Sequence, residues 1–512
     1  MAYEEQLPSE FYEQKSTKRK AYEDRAKDIA ELTLPYLIRA DGASESTPLS
    51  DLNSQSFSGR CVNTLKAKMG MALMPPATSS FRLQPSSEVL MQLEMSDQEM
   101  SDMNTIISGA TNVINKELEA QQIRESLFNV IAQLIVVGSC IVEKIENDGI
   151  IIHTLKNFVV DLDRRGRPLA ICIRETLKRM DLPDNITPAE EKEEYELFTM
   201  VYRDAESKDK WVLKQDIEGE LVGDEKSYNN VNLPYKYLGW TWMSGDYCHR
   251  PFSEDYFKDM ENIDALSQLM SDGSLVAGKN IIFVNERGGR TRKRDVADSA
   301  NGDIVDGSAE DVTMFQSQKG QDMRVVSDHL STLKRELAAS FLLNESATRD
   351  AERVTAEEVR FMAQELETSS LSGIYSKLSS EWSEWIIQMV INELKYDFQT
   401  LEPNIITGLD ALGRSAEMQK LDGAMTRLSQ LELMTWIKES ELVSRILVQQ
   451  GIDMTNLVKT PDEKATEEQQ AQQAQAQQMA KESLAGSTGN IAQQAVKGEQ
   501  EAAMQQQAAA QA

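Results

Sequence analysis

Three histidines and four cysteines are all that 512 residues supply of the side chains that most often hold transition metals or act as nucleophiles. His153, His249 and His329 lie far apart, and only His249 has a cysteine beside it, Cys248. One adjacent pair offers too few ligands for a zinc site. Cys61, Cys140, Cys172 and Cys248 share no short spacing, which points to reduced thiols rather than a disulfide framework. Cys140, inside an apolar run, reads as a small buried hydrophobe. Long apolar runs are missing too. The best candidate, residues 127–142, is interrupted by Asn129, Gln133, Gly138 and Ser139 and ends at Glu143. A spanning helix needs roughly 20 apolar residues, so a buried helix running into a strand is expected there. Residues 1–20 are polar and mixed in charge, so neither a signal peptide nor a membrane segment is expected.

Basic excess is the third absence. Lys and Arg number 54 against 83 Asp and Glu, a formal net charge of -29. Affinity for phosphates comes from Lys and Arg, so this balance argues against tight wrapping of nucleic acid. Such a balance suits plain solubility, and equally a passage through which DNA slides with few fixed contacts.

Catalytic motifs are absent as well. The sequence holds no His-Glu-x-x-His and no Gly-x-Ser-x-Gly. The acidic stretch 295–311 lacks the residue order of a calcium-binding EF-hand loop. Gly273-Ser-Leu-Val-Ala-Gly278-Lys279 matches part of a phosphate-binding loop, but Asn280 replaces the Ser or Thr that would hold Mg²⁺. A helix precedes it and a strand follows, the reverse of the order that aims amides at a phosphate. A helix end capped by Gly278 is the simpler reading. No catalytic residue, metal site or cofactor is therefore expected.

What is present is order along the chain. Residues 10–40 place Tyr22, Ile29, Leu32 and Leu37 at helical spacing, and residues 61–74 form a helix stopped by Pro75 and Pro76. Residues 98–137 read as two helices. From 140 to 175 short β-branched runs surround a turn at Arg164-Arg165-Gly166-Arg167, and residues 194–243 continue as strands and hairpins. Helical periodicity returns with Phe257, Met260, Ile263, Leu266 and Met270, and again from about 323 to 342. Between these helices lie a short strand (281–284), a basic cluster of Arg287, Arg290, Arg292, Lys293 and Arg294, and an acidic stretch. The cluster suits an acidic partner or phosphates, or a solvated loop tip. Arg349 and Arg353 sit in a polar loop with acidic neighbours. Thr355 and Glu358 then form a capping box for a helix of about 40 residues, roughly 60 Å long. Ser369, Ser370 and Gly373 weaken its middle and predict a kink. After a linker at Pro403 come two shorter helices. The Gln- and Ala-rich end lacks apolar anchors and is expected to be mobile.

Specific stretches of this plan resemble a known family. Glu352-Arg-Val-Thr-Ala-Glu-Glu-Val-Arg360 with Glu365-Leu-Glu367, and Thr407-Gly-Leu-Asp-Ala-Leu-Gly-Arg414, look like signatures of the head-to-tail joining (portal) proteins of short-tailed phages with an internal core. Residues 65–75, Phe81-Arg-Leu83 and the Gln-rich end resemble the same family. The resemblance implies an α+β, predominantly helical portal fold, assembled as a dodecameric ring at the virion's head-tail junction. Residues 1–250 would be the wing, 251–279 and 319–342 the stem helices, and 280–318 the clip. Residues 343–355 would be the channel loop, 356–399 a long kinked wing helix, 400–460 the crown and 461–512 a mobile tail. Arg349, Arg353, Lys334, Arg335 and Lys319 become candidates for facing double-stranded DNA. Arg287, Arg290, Arg292, Lys293 and Arg294 become candidates for docking a partner. Expected partners are the terminase large subunit, the tail adaptor, scaffolding and major capsid proteins, and internal core proteins. The alternatives are another ring-forming capsid or tail component, or a nucleotide-binding enzyme.

Overall fold

A computed structural model describes residues 3–39, 54–75, 81–85, 97–182, 192–207, 209–277, 282–285, 291–300, 303, 304, 306, 308, 310, 312–314, 320–343, 356–394 and 401–405. The chain divides into one unit of Met1–Met95 with Ala110–Ser415 and another of Ser96–Gly109 with Ala416–Ala512. The second is described only through the helical residues 97–109. The calls on residues 406–512, including the crown helices and the tail, lie outside the described residues.

Helix α1 (Pro8–Leu32) opens with proline, whose missing N–H falls where a helix has no internal partner. Its cap comes from a strand far along the chain: Ser9 donates both its amide and its hydroxyl to Asp216 Oδ2, each at 2.7 Å. A carboxylate there also faces the positive end of the helix dipole. One face of α1 lies across a five-stranded antiparallel meander, β4 (Phe158–Leu162), β5 (Pro168–Lys178), β6 (Glu194–Arg203), β7 (Lys210–Ile217) and β8 (Glu220–Asn229), in that spatial order. The shared core is Phe11, Tyr12, Val159, Ala170, Cys172, Phe198, Met200 and Tyr202. Inside it Arg19 donates to Tyr12 Oη (2.6 Å) and Phe158 O (3.1 Å), while Glu23 binds both Arg19 and Lys27.

The turns follow local chemistry. Asp163 Oδ1 accepts the amides of Arg165 and Arg167 at 2.7 and 2.8 Å, and Gly166 takes the left-handed φ of 78° that the tight return requires. Glu218 and Gly219, both at positive φ, make the two-residue link between β7 and β8.

A three-stranded sheet runs β3 (Gly149–Thr154), β2 (Ser139–Ile145), β9 (Tyr235–Gly239). Its central strand grows directly from α4 (Ile123–Val136), as the apolar run predicts: Val130, Ile131, Leu134, Ile135 and Val136 are all buried. Helix α2 (Phe57–Leu73) packs on α4 where Gly70 meets the Phe128 ring so closely that a Cβ would lie 2.6 Å from it. Helix α3 (Asp97–Ala120) precedes α4.

Two expectations are corrected. The long C-terminal helix is two helices, α8 (Ala356–Thr368) and α9 (Ser372–Glu393). Ser369 Oγ donates to Leu366 O at 2.8 Å and accepts from Leu371 N at 3.2 Å, so side chain replaces helix ladder and the run breaks. Pro403 belongs to a strand rather than a linker: β12 (Leu401–Ile405) pairs antiparallel with β1 (Phe81–Pro85), Leu83 opposite Pro403. A two-stranded ladder leaves each strand one unpaired edge, where proline needs no donor. The architecture is α+β, and no described helix is long and apolar enough to cross a membrane.

Candidate functional site

Helix α7 (Gly320–Ser340) of a packed helix pair carries Lys334 and Arg335, two of the residues that sequence alone marks for DNA contact. Helix α5 (Phe257–Ala277) is its partner in the pair. Between them in the chain lie a short antiparallel pair, β10 (Ile282–Val284) with β11 (Val312–Met314), and helix α6 (Lys293–Asp298).

The near ends of the pair are fixed by aromatic packing. Phe252 stacks with Trp240, Tyr256 and Phe341 at centroid separations of 5.4, 5.2 and 5.0 Å, and Tyr256 meets Phe341 at 5.5 Å. Such contacts each add about 0.5–1.5 kcal/mol to the burial itself. Helix α7 closes with Leu342 at φ 56°, where Leu343 N reaches back to Ala338 O at 2.7 Å. The carbonyl of Leu342 accepts a 2.7 Å bond from Lys68 Nζ, which also binds Glu365 Oε2 at 2.6 Å. Lys68 is 4% exposed. One buried cation thus ties the close of α7 to the last turn of α8, and nothing in the spacing of Lys68 signals this.

Away from that base the pair loses its cover. Met260 and Ile263 are buried, but Leu269, Leu275, Val276 and Val325 are exposed, as are Ile282 and Phe283 on the small strands. Helix α5 carries Lys258 against Asp259, Glu261, Asp264 and Asp272, so its charge is acidic. Gly273 lies inside α5, and a Cβ there would come within 1.9 Å of Met323 Cε. The glycine thus lies within a helix rather than in a loop between a strand and a helix, which counts against the nucleotide-binding alternative at its first residue. Gly278 and Lys279 lie outside the described residues.

Of the candidate DNA-facing residues, Arg349, Arg353 and Lys319 lie outside the described residues. Lys334 and Arg335, adjacent on α7, are placed differently. Lys334 Nζ sits 5.7 Å above the Phe57 ring, and its side chain is half-buried. Arg335 is exposed, with Nε donating to Ser331 O at 3.3 Å. Of the basic cluster, Arg287 and Arg290 lie outside the described residues. Arg292, Lys293 and Arg294 are exposed at the start of α6. Arg294 pairs loosely with Asp298 at 3.6 Å, a surface contact worth about 1 kcal/mol at most. Thr291 anchors this stretch, accepting from Ser308 N at 2.8 Å.

The four cysteines, His153 and His249 are sunk in the core, whereas His329 is exposed on α7. All four cysteines are buried and free of disulfides. Burial pushes the Cys61 and Cys248 thiols up to about 12, so neither is a thiolate at neutral pH. His249 is pushed down to about 3, first by burial and then by the charge of Lys377.

Comparison with known proteins gives a consistent assignment. The family model described as bacteriophage head to tail connecting protein matches residues 5–458. The chain is similar to the portal protein of Enterobacteria phage T3, 29% identical over 475 residues and 88% of each chain. It is 28% identical over 477 residues to the portal protein of Escherichia phage T7, again 88% of each. For the portal protein of Pseudomonas phage phiKMV the identity is 27% over 468 residues, 87% of this chain and 90% of that one. Among solved structures, a chain in the neck of an empty GTA particle aligns with a TM-score of 0.38 at 10% identity, covering 78% of this chain and 90% of that one.

Proposed function

We propose a function from one premise: the chain belongs to the bacteriophage head to tail connecting protein family. On our reading it is a portal subunit that closes into a dodecameric ring at the head-tail junction of the virion. Its role is structural rather than catalytic. The ring passes double-stranded DNA during packaging and ejection, nucleates the procapsid with scaffolding and major capsid proteins, and binds internal core proteins. It docks the terminase large subunit first and the tail adaptor afterwards.

The observation that carries this reading is the helix pair α5 and α7. A single chain leaves Leu269, Leu275, Val276 and Val325 in water along both helices. Several large apolar side chains left in water on one helix pair suit an interaction surface, and cyclic packing of identical subunits would cover them without leaving an open end. We therefore assign 251–279 and 319–342 to the stem, 280–318 to the clip, 1–250 with 356–399 to the wing, 343–355 to the channel loop, 400–460 to the crown and 461–512 to a tail. The exposed Arg292, Lys293 and Arg294 suit an acidic docking partner at the clip. Arg335, more than the ring-stacked Lys334, suits passing phosphates, with Arg349, Arg353 and Lys319 as the other candidates.

End-on electron micrographs of the purified protein test the reading. Closed rings are expected without nucleotide, and Leu275→Asp combined with Val325→Asp is expected to leave folded but unassembled chains. Monomers of the unmodified protein at every concentration would refute it. Sheets or tubes would move the assignment to another capsid or tail component.

A further inference from the structure

We propose that Glu143, His153 and Glu175 form a binding site for one divalent transition-metal ion, Zn²⁺ being the representative, that ties the two sheets of the α+β body together. The residues come from three strands. Glu143 on β2 and His153 on β3 share a face, because Ile141 pairs with His153 and Glu143 with Ile151, two positions along. Glu175 enters from β5 of the other sheet. One ligand atom from each residue can be chosen so that all lie within 4.8 Å of one another. His153 Nε2 is 2.9 Å from Glu143 Oε2, and its Nδ1 is 4.0 Å from Glu175 Oε1. Metal bonds of about 2.0–2.2 Å place tetrahedral ligands roughly 3.3 Å apart; because one imidazole nitrogen serves a given ion, the two carboxylates, now at opposite ring nitrogens, must swing to a common one to complete the set.

Three further observations favour an ion over a simple hydrogen-bonded cluster. His153 is 3% exposed, so it is already out of water, as a structural ligand must be. Among the described residues neither carboxylate forms an ion pair with Lys or Arg: neighbouring Lys144 turns away to Glu393. Two carboxylates therefore face one imidazole in a half-buried space. A divalent cation would relieve this excess of negative charge. Finally, Tyr235, paired with Glu143 across β2 and β9, donates its hydroxyl to Glu143 Oε1 at 2.7 Å. A donor to a carboxylate's outer oxygen is the support that metal ligands characteristically have. One nitrogen and two carboxylate oxygens, completed by water, suit Zn²⁺ or Mn²⁺ better than soft-ligand metals.

The test uses the full chain, stripped with a chelator and titrated with ZnCl₂ by calorimetry. One Zn²⁺ per chain is expected, with a rise in the thermal unfolding midpoint. Glu175→Gln keeps the shape of the side chain and removes its charge, and should weaken binding by more than ten-fold and abolish the rise. Tyr235→Phe leaves every ligand in place and should weaken it roughly ten-fold. The Glu175→Gln chain should match the metal-free parent in circular dichroism; if it does not fold, Tyr235→Phe decides alone. No saturable binding at one equivalent, or unchanged affinity in whichever variant folds, overturns the proposal.

Discussion

Gly138→Ala is the sharpest test of how the base of the helix pair is held. Gly138 joins α4 to β2 at φ 94°. Its amide donates to Gln133 O at 3.0 Å, and its carbonyl accepts from Trp240 N at 2.9 Å. A Cβ there would lie 2.5 Å from Pro251 N, 2.7 Å from Arg250 C and 2.7 Å from His249 O. These are backbone atoms, so no rotamer change makes room. Left-handed backbone costs a residue with a Cβ about 1–2 kcal/mol, and forcing a carbon into filled space about 1–3 kcal/mol more. The substitution should therefore cost about 2–5 kcal/mol. Gly219 provides the control: its φ is 84°, yet nothing lies within 4 Å of its Cβ position. Gly219→Ala should pay only the backbone part, about 1–2 kcal/mol. Thermal unfolding of both variants under one condition reads the difference, and comparing two alanines in the same protein avoids assigning a two-state free energy to a large chain. Amide exchange should also rise first along β2 and the 251–256 segment in Gly138→Ala. Equal midpoints for the two variants would refute the reasoning, because the steric half of the penalty would then not exist.

Two more outcomes follow from buried charge. His249, 4% exposed and pushed down to about 3, stays neutral when folded but takes a proton below about pH 6.5 when unfolded. Its contribution is fully present above pH 6.5 and lost as pH falls toward 3, by up to ~1.4 kcal/mol per unit; unfolding midpoints at pH 7, 6 and 5 should fall less steeply in His249→Gln, and parallel slopes would count against the assignment. Lys68→Met should cost about 3 kcal/mol, because the Leu342 carbonyl and Glu365 lose a buried donor. Adding Glu365→Gln should cost less than the sum of the two single changes by ~1 kcal/mol or more, and simple additivity would show that the clamp is not coupled.

What the sequence revealed and what it hid divide along physical lines. Periodic apolar positions exposed α1, α4 and α5, and Gly166 with Asp163 exposed its turn, because those signals are local. The strand β8 was hidden: as the sheet edge it is almost wholly exposed, so Asp224, Glu225 and Lys226 replace the alternation that marks a half-buried strand. Pro403 argued against a strand because proline removes a donor, and the ladder it joins has only two members. The break at Ser369 was legible as weakness but not as two separate helices. The sites are the least legible part. Glu143, His153 and Glu175 look like scattered singletons until two sheets bring them together, and Lys68 lies 274 and 297 positions from the groups it holds. Cooperation between residues so distant leaves no spacing to read.

The same contrast sharpens the argument from charge. A net charge of -29 says that basic side chains are scarce, but not where they act. Several are committed inside the fold: Arg19 and Lys27 to Glu23, Lys68 to Glu365, Lys144 to Glu393, and Lys214 to the carbonyls of Tyr3 and Glu4. These cations are withdrawn from the surface, Arg19 and Lys27 sharing the one carboxylate of Glu23, so among the described residues fewer remain exposed to offset the acidic excess. On the portal reading, phosphates passing this protein would meet an acidic wall with a few exposed cations set in it. Lys334 and Arg335 are equal candidates in sequence, yet only Arg335 presents its charge away from a covering ring. On the portal reading, Arg335 repeated around a closed ring would give passing DNA a weak contact that each neighbour repeats and none holds. Sliding through such a ring would need that balance, because stronger contacts would stall the duplex and a uniformly acidic wall would give it no guidance.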